Sequence, residues 1–516
     1  MLIEEGMSEQ QKFDFFYNKI LDNGTIMNAG KLLQRGYENF PENTALIYKD
    51  RFVSYKELYH RSCLFGKKLV AQGVKPSDRV LLFFRNSLEF YVAYFAIWQV
   101  GAIVAPLNIF LSERELAHIV NDSKPKLIVV SSDKIDFFRD DNSISVLTEK
   151  DMDLTSEVPQ NLPAFDIPSK EPNDLVVLLY TSGTTGFPKG VMLSSKNIMT
   201  NVVQVLSLMP FSESQRVFCV LPLFHCFAQN TCIWASLFSG STVVVVSKIS
   251  RKEILNGLKH RPTIFLGVPA LYGLLCLMKT APLSSVEYFI SGGDALPDKI
   301  RMFFSLLYRR KLCNGYGLTE TSPLIAVNLE DVIEPTNNIG VPVLGVDCSI
   351  RNENGHELTK GQTGELWVKG DNIMLGYYND REKTEEVIVD GWFNTGDLAK
   401  FDKNGKLIIC GRLKDLIIHK GLNIYPQEIE NVILKHDAVL RVGVIGQDDN
   451  SFGQIPIAVV QLRSKSENIE KELRDLCAKD LAAYKVPRRF IIVGDMPLTS
   501  TSKVDKKNLR NKSLIR

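Results

Sequence analysis

Short apolar runs that alternate with helical patterns constrain this chain more than any other feature. Val80-Leu-Leu-Phe-Phe is followed by a helical pattern over about 88–100, a second short run over about 102–106, and then Leu127-Ile-Val-Val. The alternation recurs at Leu175–Tyr180, Val217–Leu221, Thr242–Ser247, Thr263–Gly267 and Tyr288–Ser291. Runs that are apolar on both faces and separated by helices make βαβ units, with a mostly parallel sheet covered on both sides. From about 340 to 411 the texture shifts to short strands and Gly-rich turns, as in Gly364-Glu-Leu-Trp-Val-Lys-Gly, which predicts a β-rich subdomain. Further on, a helix over Ile469–Leu481 sets Ile469, Leu473, Leu476, Cys477 and Leu481 on one face, between strands Ile455–Leu462 and Phe490–Val493. About 100 residues can bury their own core. Residues 414–516 therefore read as a small α+β domain that follows a large α/β domain over 1–413.

Composition narrows the function classes. The 516 residues are 45% apolar and 23% charged, as in an ordinary globular chain. The net charge of +2 provides no basic field for nucleic acid. Nine cysteines, with no C-x-x-C pair, read as reduced thiols of a cytoplasmic protein and not as a disulfide frame or zinc site. The histidines lack metal-ligand spacing, and Met1-Leu-Ile-Glu-Glu lacks the apolar core of a secretory leader. Two uncharged runs, the 22 residues Phe90–Leu111 and the longer Val217–Ser247, are long enough to span a bilayer. Gly101 and Pro106 cut the first, and Pro222, His225, Gln229, Asn230 and Gly240 interrupt the second, so both are expected in the core. Peripheral membrane contact stays open.

The chemistry is concentrated in Leu178-Leu-Tyr-Thr-Ser-Gly-Thr-Thr-Gly-Phe-Pro-Lys-Gly190, where a buried strand runs into Thr181, Ser182, Gly183, Thr184, Thr185, Gly186 and Lys189. Glycines let backbone N–H groups approach an anion, hydroxyls donate to phosphate oxygens, and the lysine adds a point charge. The loop reads as a polyphosphate cradle. It is not a Walker A loop, because Lys189 lies between Pro188 and Gly190 and no Ser or Thr follows it.

Tyr180–Gly190 resembles the signature loop of the adenylate-forming superfamily, which includes acyl- and aryl-CoA synthetases, peptide-synthetase adenylation domains and luciferases. Further blocks follow in family order: Ser54-Tyr-Lys-Glu-Leu, Gly101-Ala-Ile-Val-Ala-Pro-Leu-Asn, Ser291-Gly-Gly-Asp-Ala-Leu, Asn314-Gly-Tyr-Gly-Leu-Thr-Glu, Gly391-Trp-Phe-Asn-Thr-Gly-Asp, Gly411-Arg-Leu-Lys-Asp and Thr501-Ser-Lys-Val. The resemblance runs from about Pro41 to Leu509. It implies a large adenylate-forming domain of parallel α/β sheets plus the β-rich subdomain, and a mobile C-terminal lid that rotates about Lys414. It implies ATP, Mg²⁺ and a thiol acceptor, either CoA or the phosphopantetheine of an acyl carrier protein.

The resemblance also implies residue roles. Thr185 joins the catalytic group. Tyr316 stacks on adenine in the block Asn314, Gly315, Tyr316, Gly317, while Thr319 touches the α-phosphate and Glu320 holds Mg²⁺, an ion suited to hard oxygen ligands. Gly293 and Asp294 lie beside adenine, Asp397 anchors ribose, and Arg412 joins it. Lys503 bridges carboxylate and α-phosphate, and Lys420 and Gly421 face the pantetheine arm. His225, Cys226 and Phe227 line the acid pocket. No acid stands between Arg216 and Ser247 to hold an ammonium, so the substrate reads as a carboxylic acid with an apolar tail. A fatty acid fits first, an aryl acid is an alternative, and a non-catalytic acyl- or nucleotide-binding protein is a distant one. Ser502, Gln454 and Ile418-His419 depart from the family pattern.

Overall fold

The computed structural model describes residues 6–138, 144–157, 165–182, 187–330, 337–420, 422–449, 453–463, 468–499 and 503–511. The apolar runs form two large sheets. One has eight strands in the order Leu324–Asn328, Cys313–Gly317, Tyr288–Ser291, Ile264–Gly267, Arg216–Cys219, Thr242–Val245, Thr44–Tyr48 and Arg51–Ser54. It is parallel from Cys313–Gly317 through Thr44–Tyr48 and antiparallel at both edges. The other has seven strands, in the order Gly376–Tyr377, Pro188–Ser194, Leu175–Ser182, Ile103–Pro106, Arg79–Phe83, Leu127–Val130 and Ser145–Leu147.

The βαβ expectation fails at one place. Leu175–Ser182 continues into Pro188–Ser194 as an antiparallel hairpin, with Thr181 opposite Lys189 and Ser182 opposite Pro188. A five-residue link is too short for the crossover that a parallel partner needs. The described residues on either side of the Gly-rich segment are therefore the paired arms of a hairpin.

Both uncharged runs are core. In helix Leu88–Gln99 every residue except Glu89 is buried. Val217–Ser247 becomes the strand ending at Cys219, a helical segment over 226–239 with a π-helical stretch Asn230–Ala235, and strand Thr242–Val245. Three hydrogen bonds join the two helical segments: Tyr94 Oη donates to Gln229 Oε1 at 3.0 Å and accepts from Trp234 Nε1 at 3.0 Å, while Tyr91 Oη donates to the Cys232 carbonyl at 2.9 Å. Among the described residues, no helix is long and apolar enough to cross a membrane.

The β-rich region is an antiparallel sheet of Val346–Arg351, Gly364–Gly370, Trp392–Phe401 and Ile388–Val389, with Leu407–Arg412 also paired to Trp392–Phe401. The small α+β domain has its own sheet, in which Ile417–His419, Leu422–Ile424, Val439–Asp449 and Arg489–Val493 assemble around Gly453–Leu462 and Leu422–Ile424 lies at the edge. Helix Ile469–Asp480 covers it with Ile469, Leu473 and Cys477, as the periodicity predicts.

Tyr94→Phe keeps the ring but strands the buried Trp234 N–H and Gln229 carbonyl. We expect a stability loss of about 1–3 kcal/mol, read as a lower urea midpoint with unchanged slope.

Candidate active site

Three chain segments meet beside the hairpin. Strand Pro188–Ser194 pairs on its outer side with Gly376–Tyr377, where Val191 lies opposite Tyr377 and the Tyr378 N–H donates to the Gly190 carbonyl at 2.7 Å. Lys189 Nζ is 3.3 Å from Asp380 Oδ2 and 5.4 Å from the centre of the Tyr377 ring. The Tyr377 hydroxyl donates to Glu320 Oε1 at 3.0 Å. Glu320 sits in the turn Thr319–Thr321 that follows strand Cys313–Gly317, and its carbonyl accepts from the Met374 N–H at 2.9 Å. Tyr377 thus links the hairpin to the carboxylate. Gly183, Thr184, Thr185 and Gly186 lie outside the described residues, as do Gly421 and Ser502.

The turn that presents Glu320 depends on Gly317. A Cβ there would lie 1.7 Å from the Pro323 carbonyl oxygen, the same atom that accepts from the Leu318 N–H at 3.1 Å. Gly315 has room, because its nearest neighbours would be 3.7 Å away or more.

A second cluster centres on Asp397, which is 3% exposed. The Tyr316 hydroxyl donates to one carboxylate oxygen, and Arg412 Nε lies 2.7 Å from the other. Asp397 and Arg412 are directly opposite on adjacent antiparallel strands. Burial pushes the Asp397 carboxyl above its ordinary value, against the pull of Arg412, Tyr316, Lys503 and Lys414. The same carboxylate holds the Arg412 guanidinium above its usual range. Gly293 adopts a positive φ of 78°, and the exposed Asp294 accepts from the Ala295 N–H at 2.9 Å.

His225 precedes the helical turn Cys226–Gln229, with its ring 4.5 Å from that of Phe224. Burial, reinforced by the Lys503 ammonium, pushes its imidazole down to about 4. Cys226 is buried, and burial together with Glu320 pushes its thiol well up. The Phe227 ring packs on the backbone of Gly292, where a Cβ would lie 3.2 Å from it. Lys503 stands on a turn of the small domain, where its N–H donates to Thr499 Oγ1 at 3.2 Å. Its ammonium acts on both His225 and Asp397, so the small domain is turned toward the cleft of the large one.

Lys414 is exposed in the turn Leu413–Asp415 between the two C-terminal sheets, beside a cleft of about 470 Å³ lined by Leu416, Gln447, Asp448, Gln454 and Arg510. Lys420 is exposed on a hairpin of the small domain. Gln454 pins that hairpin: its Oε1 accepts from the Ile418 N–H at 3.1 Å, and its carbonyl lies 2.7 Å from His419 Nδ1. Sequence reasoning missed Tyr377 and Asp380. Their only signal is the aromatic cluster Leu375-Gly-Tyr-Tyr-Asn-Asp380, and no local pattern places that beside Lys189.

The two large sheets, the β-rich sheet and the small α+β domain define an adenylate-forming fold. Residues 33–378 match the AMP-binding enzyme family and residues 428–503 match the AMP-binding enzyme C-terminal domain. The chain belongs to the AMP-binding enzyme family. It is 32% identical to the feruloyl-CoA synthase of an Amycolatopsis species, over 92% of this chain and 96% of that protein. It is 30% identical to the long-chain-fatty-acid–CoA ligase of Bacillus subtilis, over 95% and 94%. Among solved structures, ATP-bound MatB from Rhodopseudomonas palustris superposes with a TM-score of 0.86 at 31% identity, covering 94% of this chain and 98% of that one. o-Succinylbenzoate CoA synthetase from Bacillus subtilis, in complex with its acyl-adenylate, gives a TM-score of 0.86 at 28% identity, covering 93% and 98%. The protein is an AMP-forming acid–thiol ligase: a carboxylic acid is activated with ATP to acyl-AMP and then passed to a thiol.

Two outcomes follow from this geometry. Gly317→Ala must displace the Glu320 turn and should slow ATP–pyrophosphate exchange by on the order of 10²-fold, whereas Gly315→Ala should retain it. Folded His225 holds its proton less tightly than free imidazole, near 6.5, so protons favour the unfolded chain as pH falls from about 6.5 to about 4. His225→Gln should flatten the fall in unfolding free energy over that window, measured by urea titration at several pH values.

Proposed function

We propose that the acid is a fatty acid, that CoA is the acceptor, and that the residues gathered in the cleft carry both half-reactions. The observation that carries this reading is the buried Asp397 carboxylate held by Tyr316 and Arg412, together with the Glu320 carboxylate held by Tyr377. In the first half-reaction a carboxylate oxygen attacks the α-phosphorus of ATP, the bond to the β-phosphate oxygen breaks, and pyrophosphate leaves. Lys503 neutralises charge that develops between carboxylate and α-phosphate, in a cleft where a fixed cation acts more strongly than in water. Asp397 accepts from the ribose hydroxyls, with Arg412 beside it. Tyr316 forms the adenine shelf with Gly292–Asp294, and Thr319 reaches the α-phosphate. The hairpin tip, with Thr181, Ser182, Thr185 and Lys189, holds the polyphosphate.

Glu320 suits a magnesium ion as a hard oxygen ligand, and Tyr377 orients it. Among the described residues no cluster of three or more His, Cys, Asp or Glu side chains could hold a metal. Phosphate oxygens of ATP and water would complete its coordination beside Glu320. When bound, the ion neutralises phosphate charge.

In the second half-reaction the thiol sulfur attacks the acyl carbon and the bond to the phosphate oxygen of AMP breaks. We place the boundary between large and small domains at 413/414 and the hinge at Lys414. Rotation there withdraws Lys503 and brings Lys420 and Gly421 to the thiol. Support for an apolar acid comes from the neutral His225 and from the buried Cys226 and half-buried Phe227, with no acidic side chain in that segment. All nine cysteines are free thiols, which supports a cytoplasmic location.

ATP–pyrophosphate exchange with acetate, octanoate, palmitate, 4-coumarate and two amino acids, followed by addition of CoA, tests the reading. We expect exchange with a fatty acid and then a CoA thioester. Exchange confined to 4-coumarate would transfer the reading to aryl acids, in line with the similarity to feruloyl-CoA synthase. Exchange without thioester would point to a carrier-protein acceptor. Lys503→Ala should cost about 10²–10³-fold in exchange and spare thioester formation from supplied acyl-AMP; equal loss in both would defeat the hinge assignment. Tyr377→Phe should raise the Mg²⁺ concentration for half-maximal exchange by about tenfold.

A further inference from the structure

Exposed apolar side chains are concentrated on one helix pair, Pro269–Met278 and Asp298–Tyr308. Leu277, Met302, Phe303, Leu306 and Leu307 are all exposed there, Leu277 at 69% and Leu306 at 81%. Phe304 faces inward against Tyr272 and Phe289 and is fully buried, so the helix is seated and its outer side is a true surface. The Tyr308 hydroxyl donates to the Leu275 carbonyl at 2.6 Å, which brings the last turns of the two helices side by side. Leu277, Leu306 and Leu307 therefore lie at one end of the pair, with Met302 and Phe303 about one turn behind them. That end is basic, with Lys279, Arg309 and Arg310 exposed and Lys279 and Arg309 in positive-φ positions just beyond the helices. Asp298 opens the second helix, about 15 Å from this end at 1.5 Å per residue.

We propose that this face docks on an anionic lipid surface. Soluble chains seldom leave a contiguous apolar patch uncovered. A helix that presents Phe, Leu and Met outward and ends in arginines has the composition of an in-plane interfacial helix, with the cations meeting acidic headgroups. The net charge of +2 rules out a global field, so the attraction is local to this rim. The two helices leave strands Ile264–Gly267 and Tyr288–Ser291, and Gly292 next to the second of these packs on Phe227 of the acid segment. A membrane docked here would lie behind the segment that faces the acid. The docking does not depend on which acid is used.

The test is flotation of the full chain with phosphatidylcholine vesicles, with or without phosphatidylglycerol, at low and high salt. We expect flotation with the anionic vesicles, release by salt, and about tenfold weaker binding for Phe303→Ser/Leu306→Ser and for Arg309→Glu/Arg310→Glu. Retained ATP–pyrophosphate exchange with a water-soluble acid shows that each variant is folded, and Leu277→Ser is the milder variant if the double substitution is not. Absence of flotation overturns the proposal. So does flotation that all these variants leave unchanged. A self-association in sedimentation that the same variants dissolve, without flotation, assigns the face to a second copy of the chain and overturns it as well.

Discussion

The buried carboxylate of Asp397 is the constraint on which the site depends. A carboxylate with 3% exposure is tolerable only when paired and hydrogen-bonded. Its partners come from different parts of the chain: Tyr316 from the strand next to one edge of the eight-stranded sheet, Arg412 from the next strand of the β-rich sheet, and Lys503 from the small domain. Removing Arg412 would leave the carboxylate without its ion-pair partner, and removing Tyr316 would leave one of its oxygens without a hydrogen bond. The cluster therefore fixes the β-rich sheet against the large domain. It also draws the small domain toward the cleft, and Arg412 lies two residues before Lys414, so the chain leaves the cluster directly into the turn between the domains.

Tyr377 performs a similar service on the other side of the cleft. It ties Glu320 to the strand that carries Lys189, so the proposed metal ligand and the proposed phosphate-binding hairpin move as one body. This coupling explains why Lys189 does not project freely from the hairpin: its ammonium is held between the Asp380 carboxylate and the Tyr377 ring. A cation parked on a carboxylate can turn to a polyphosphate at little cost, because one anionic partner replaces another.

Sequence reasoning located most strands of the parallel cores within a residue or two, because a fully buried strand is apolar on both faces and short. Tyr288–Ser291 and Leu127–Val130 are the clearest cases. It took Leu175–Tyr180 for a strand of the same kind and stopped it two residues early, because Thr181 and Ser182 read as loop while their backbones pair with Lys189 and Pro188. Polar residues extend a strand readily when its partner is the returning arm of a hairpin. The motif residues were legible because they cluster locally. The residues that orient them were not, since Tyr377 reaches Glu320 only through strand pairing between distant segments. Gln454 illustrates the converse. It is a departure from the family pattern, yet its amide closes the hairpin that carries Lys420.

Hydropathy along the chain misplaces the surface for a related reason. The two longest uncharged runs are interior, and Tyr91, Tyr94, Gln229 and Trp234 form hydrogen bonds that join one run to the other. Helix Asp298–Tyr308 contains charges and would pass a hydropathy scan unnoticed, yet it leaves more apolar surface uncovered than Leu88–Gln99, where only Glu89 is not buried. What separates them is the number of apolar faces, not the number of apolar residues. Phe304 and its neighbours one turn away satisfy the sheet, and Met302, Phe303, Leu306 and Leu307 stay exposed among the described residues. A sequence window sums the two faces of a helix, and only the fold says which of them is already used.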